Sequence, residues 1–133
     1  MRLFENEAVL ISLDESIPCL EWIGKGGLTS PLFRESEEKS LVFYRKYKPQ
    51  YPKLEWFVDA RKIGSVLPDD VGWVAQTILP QFEAAGLTKE AFVIPEKALG
   101  RFAVKEYSER SKSGKVTIRM FASGKEAKDW LKS

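Results

Sequence analysis

The stretch Val9-Leu10-Ile11-Ser12-Leu13-Asp14-Glu15-Ser16-Ile17-Pro18-Cys19-Leu20-Glu21-Trp22-Ile23-Gly24 decides the fold class. Val9, Ile11 and Leu13 recur with a period of two, the mark of a strand with one buried face. Asp14-Glu15-Ser16 is a turn cluster, and Ile17 to Ile23 reads as a second strand, with Pro18 near its start or on an edge. Two strands joined this closely pair antiparallel. A short strand at Arg2-Leu3-Phe4 can extend the pair.

Downstream the pattern changes to strand–helix alternation. Gly24-Lys25-Gly26-Gly27 ends the hairpin, and Ser30 and Pro31 suit the N-cap and first residue of a helix. At 100° per residue, Leu32, Phe33, Ser36, Ser40, Phe43, Tyr44 and Tyr47 share an arc of about 120°. Leu54 to Asp59 is a strand. A helix over 68–85 follows, with core stripe Val71, Val74, Ala75, Ile78, Leu79, Phe82 and Ala85, a kink expected at Pro80 and a stop at Gly86. Ala91-Phe92-Val93-Ile94 is the next strand, and 97–112 a helix with Leu99, Phe102, Ala103 and Tyr107 at helical spacing. Val116 to Phe121 closes the strands, and the capping box Ser123-Gly124-Lys125-Glu126 opens a terminal helix. The expectation is one α/β domain over residues 1–133: a mixed sheet, an antiparallel hairpin followed by β-α repeats, and about four helices.

Composition narrows the chemistry. The 133 residues include 21 basic and 19 acidic ones, a balance that does not steer the chain toward nucleic acid or membrane by charge alone. There is no histidine, so Ser-His and Cys-His catalysis and His-ligated metals are excluded. The single cysteine, Cys19, cannot form an internal disulfide and reads as a buried, inert thiol. No metal site or cofactor is indicated. The amino-terminal residues lack the apolar run of a signal peptide, and no apolar stretch approaches the roughly 18 residues of a membrane span. The expected location is cytoplasmic.

The element order resembles the STAS/SpoIIAA-like fold and the bacterial "STAS/SEC14 domain" proteins over nearly the whole chain. The resemblance rests on Gly24, on Phe57-Val58-Asp59-Ala60-Arg61-Lys62, on the helix from Trp73 to Gly86, and on Phe121-Ala122-Ser123 through Ala127-Lys128-Asp129-Trp130-Leu131. It implies a SpoIIAA-like sheet and a regulatory role. In phosphorylation-regulated members a Ser follows the Asp at the strand-to-helix junction. Here Asp59 is followed by Ala60, so that phosphosite is not carried over. The SEC14 side of the likeness implies a lipid pocket, although no lipid-pocket motif stands in the sequence.

Two regions could carry function. Asp59, Arg61 and Lys62 leave the carboxyl end of a parallel strand, where open α/β sheets bind ligands. They could clamp an anion or hydrogen-bonding ligand, or Asp59 and Arg61 could pair to order their loop. Trp73, with Thr77, Pro80 and Ala84, forms a second uncharged face on its helix, opposite the core stripe. That face suits a protein partner or a homodimer contact, unless the chain covers it itself, for instance with the terminal helix.

The run Tyr44 to Lys53 mixes cations with aromatics as single-strand binders do, but cations also suit a helix C-terminus and its tyrosines belong to the core stripe. The adjacent acids Glu37-Glu38 and Asp69-Asp70 diverge by about 100° on a helix, so neither pair is a facing acid–base dyad. With no nucleophile–base set identifiable, a non-enzymatic regulatory or protein-interaction domain is the first reading. A small-molecule or lipid-binding domain with a pocket at the strand carboxyl ends is the alternative.

Overall fold

The computed structural model describes residues 1–133. Six strands form one sheet in the order β1-β2-β3-β4-β5-β6: β1 (Arg2–Glu5), β2 (Val9–Asp14), β3 (Cys19–Gly24), β4 (Glu55–Asp59), β5 (Lys89–Val93) and β6 (Thr117–Phe121). β1, β2 and β3 pair antiparallel, whereas β3 to β6 pair parallel in steps to the same side. This is the expected mixed sheet.

Successive right-handed crossovers in one direction place their helices on one face of a sheet. Accordingly α1 (Ser30–Tyr47), the second helix and α4 (Ala98–Arg110) lie on one side, the second helix packing against both of the others. The second helix runs continuously through α2 (Pro68–Trp73), a π-helical turn (Val74–Ile78) and α3 (Leu79–Ala84). α5 (Gly124–Lys132) alone covers the opposite face, over β4, β5 and β6. Lys128 fastens it to the hairpin, reaching Asp14 at 2.8 Å and Glu21 at 2.7 Å.

The core divides with the sheet. Twenty-six buried residues fill the three-helix side and six lie under α5, so the fold rests on the former. Strand alternation sorts them. Leu20, Trp22, Trp56, Val58 and Phe92 point to the three helices, and Cys19, Phe57, Ala91 and Val93 to α5. At the base of the larger core Phe82 stacks on Trp56, with centroids 4.1 Å apart and planes 12° from parallel, and meets Tyr44 at 5.2 Å.

Several local expectations shift. β3 begins at Cys19 rather than Ile17. Thr29, not Ser30, is the N-cap of α1, its side chain accepting from the Leu32 N–H. Ser123 accepts from the Glu126 N–H, which is one bond of the expected capping box. Pro80 is absorbed without a break. It has no N–H for the carbonyl one turn back, and the π-helical turn before it takes up the mismatch, the Leu79 N–H reaching the Val74 carbonyl.

α1 and α4 are also rotated from their apolar arcs. α1 buries Phe33, Ser36, Glu37, Ser40, Leu41 and Tyr44, a face turned by roughly 50° from the expected one. α4 buries Gly100, Ala103, Val104 and Tyr107, while Leu99 and Phe102 are each 65% exposed. Gly100 is the cause. A Cβ there would lie 2.4 Å from the Ile63 carbonyl oxygen, so only glycine lets α4 approach the β4–α2 loop this closely.

Candidate functional site: a lined pocket with two buried carboxyls

The rotation of α1 and the start of β5 together build a site. β5 begins at Lys89, two residues before the expected strand, so Glu90 falls on the three-helix face beside Trp56. Glu37 turns inward on α1. Both carboxyls line a pocket of about 60 Å³ enclosed by β3, β4, β5, α1, the second helix and α4. Its other walls include Trp22, Phe33, Val58, Val74, Phe92 and Val104.

Polar chemistry in this chamber is sparse and one-sided. Glu90 is 1% and Glu37 5% exposed. The Tyr107 hydroxyl donates to Glu90 Oε1 at 2.6 Å, and Phe92 meets the Tyr107 ring edge-on at 5.7 Å. Trp22 Nε1 is already committed to Ser36 Oγ at 2.9 Å. Glu37 Oε2 is buried with no hydrogen-bond partner. Native structures leave few such atoms unsatisfied, because stranding one costs about 1–3 kcal/mol.

Burial pushes the Glu90 carboxyl up to about 8, against the pull of the Tyr107 hydrogen bond, which favours the charged form. Burial, and then the neighbouring Glu90, hold Glu37 well above the usual carboxylate range. Both acids therefore keep their protons near neutral pH when the pocket is empty.

Access lies at the carboxyl ends of the parallel strands. Of the lining residues only Val66, in the β4–α2 loop, is not buried. Phe33 and Val66 also border an outer vestibule of about 240 Å³, lined with Thr29, Ser30, Ser65 and Asp70. Asp70 is 2% exposed, and its Oδ1 accepts from Arg34 Nε at 2.7 Å and Ser30 Oγ at 2.9 Å. The chamber by itself is well below the roughly 300–1,000 Å³ typical of small-molecule sites, and the vestibule adjoins it at Phe33 and Val66.

The residues singled out from the sequence lie elsewhere. Asp59 and Arg61 pair with each other, Arg61 Nε and Nη2 donating to the two Asp59 oxygens at 3.0 and 2.8 Å. This holds the Asp59 carboxyl below its usual range despite its burial. Lys62 is exposed, and neither it nor the pair borders the chamber. Trp73 is half-buried, packed against the larger core with the Arg34 guanidinium 4.5 Å over its ring. Thr77, Pro80 and Ala84 are exposed. α5 does not cover them, because it lies across the sheet.

Tyr44 is fully buried and donates to the Leu54 carbonyl at 2.9 Å, so the cation–aromatic run is anchored in the core. Cys19 is buried and its thiol is pushed up, chiefly by burial. No group of three or more His, Cys, Asp or Glu side chains is placed to hold a metal ion, and no helix is long and apolar enough to cross a membrane. Comparison with protein-family models, with curated proteins and with solved structures finds no match to this chain.

Proposed function

We propose that the chain is a small-molecule-binding domain whose ligand enters at the strand carboxyl ends, past Val66, and reaches the chamber between the sheet and the three helices. The observation that carries this reading is Glu37, a carboxyl buried among apolar walls with one oxygen unpartnered. Such an arrangement lowers stability unless something else compensates, and a bound ligand is the compensation that fits a lined, accessible space. The SEC14 resemblance implies a lipid pocket, whereas the chamber of about 60 Å³ suits a compact molecule.

A protein-interaction role through the Trp73 face draws support from the exposure of Thr77, Pro80 and Ala84. It is the weaker reading, because the indole, its natural anchor, is already occupied by Arg34 and the core. Native mass spectrometry of gently purified protein, followed by the same sample denatured, separates the two. The pocket reading expects a small adduct that vanishes on denaturation. A ligand-free dimer dissociated by Trp73→Glu would turn the assignment to the interaction face.

A further inference from the structure

We infer that the chamber is built for a compact organic cation, a protonated amine with a small apolar body, whose ammonium group sits between Glu37 and Glu90. This deepens the proposed pocket and rests on it.

The donor and acceptor inventory points one way. The Tyr107 hydroxyl and the Trp22 indole N–H already have acceptors, so once the acids' own protons leave, what the chamber offers is acceptor capacity, above all Glu37 Oε2. An ammonium group has three donors and no acceptor, the complement of that set. An anion would meet two carboxyls and no cation.

The ionisable groups around the chamber are all acidic. α1 presents Glu37, β5 presents Glu90 and α4 presents Tyr107, while β3, β4 and the second helix present only apolar or aromatic side chains. No lysine or arginine lines the chamber, and Arg34, beside the vestibule, is spent on Asp70. The aromatic walls Trp22, Phe33, Phe92 and Tyr107 suit a desolvated cation as well. Size agrees, since about 60 Å³ exceeds the space one water needs and the vestibule accommodates the body of a larger amine.

Binding then exchanges a proton for the ligand. An empty pocket holds its carboxyls protonated, and the ammonium ion replaces a carboxyl proton, which leaves to solvent. One carboxylate–ammonium contact forms and one O–H bond breaks, so net charge in the chamber is unchanged. Affinity should therefore rise with pH between about 6 and 8, approaching tenfold per unit where one full proton is released.

The test is isothermal titration with isobutylamine and its neutral counterpart isobutanol, at pH 6 and pH 8, in two buffers of different ionisation heat. Wild type is compared with Glu37→Gln and Glu90→Gln, each checked for folding by circular dichroism. The inference expects the amine to bind at least about tenfold more tightly than the alcohol at pH 8, with proton release, and at least one variant to lose roughly tenfold or more in amine affinity. Equal or tighter alcohol binding, or amine binding indifferent to pH and to both variants, would overturn the cation while leaving the pocket. Failure of both probes to bind folded protein would remove the pocket reading and the inference together.

Discussion

In the absence of ligand the protein should be several kcal/mol more stable at pH 5 than at pH 8, with both acids contributing. Most proteins with paired surface carboxylates are not expected to lose this much over that range. The sign follows from the two buried acids. Well below the unfolded-chain value, 4.5, both folded and unfolded states hold these protons. Above it the unfolded chain releases them while the folded chain does not, until Glu90 ionises near 8. Across that window stability falls by about 1.4 kcal/mol per pH unit for each carboxyl so held.

Asp14 and Asp59 work in the opposite sense, since their carboxyls are lowered in the fold; their contribution is present above their unfolded values and fades only at more acid pH. Urea midpoints from pH 5 to pH 8 check this. Glu37→Gln and Glu90→Gln should each flatten the slope and raise stability at pH 8. In the latter the Tyr107 hydroxyl still finds an amide oxygen as acceptor. A flat wild-type profile would mean that water or conformational adjustment relieves these acids in the empty pocket.

Phe82→Ala should cost about 3–5 kcal/mol and lower the melting temperature by roughly 10–20 °C. Phe82 is fully buried and lies between Trp56 and Tyr44, joining α3 to β4 and α1. Its removal strips the stack of its middle ring and leaves a cavity that three rigid elements close only in part. Against a typical total of 5–15 kcal/mol this is a large share. Phe82 does not line the chamber, so the variant weakens the frame without changing the pocket's polar groups. Thermal and urea denaturation followed by tryptophan fluorescence measure the effect; a cost below about 1 kcal/mol would show that the neighbouring side chains fill the space.

Strand alternation and helical spacing made the architecture readable, because the hairpin and the β-α repeats bury long periodic apolar runs. Val9, Ile11 and Leu13 are all buried, as a period of two requires. The alternative reading expects a pocket near Asp59 and Arg61, whereas the cavity between the sheet and the three helices is lined by neither, and its polar residues are not legible in the sequence. Glu90 was hidden by a strand start placed at Ala91, a shift of two residues that leaves it in a loop. Glu37 stands about 20° beyond the apolar arc of α1, and a charged residue there reads as solvated. The sequence neighbour of Glu37 is Glu38, whereas the partner that shares its cavity comes from β5, a pairing that tertiary structure alone creates.

Leu99 and Phe102 misled in the reverse direction. Apolar spacing favoured them for burial, but the contact of Gly100 with the Ile63 carbonyl orients α4 and leaves both in solvent. A glycine in a helix is a weak sequence signal for close backbone approach, and here it decided which face is inward. From the sequence, Asp59 and Arg61 suit either a site or a mutual pair, and the structure holds them as a bidentate pair.

Methyl-resolved NMR of valine- and isoleucine-labelled protein, titrated with isobutylamine at pH 8, locates the ligand site residue by residue. Shifts should concentrate on Val58, Ile63, Val66, Val71, Val74 and Val104, which line the chamber, and Val42, exposed on α1, should not move. Saturating shifts confined to other methyls, or none at all in folded protein, would contradict a ligand site between the sheet and the three helices.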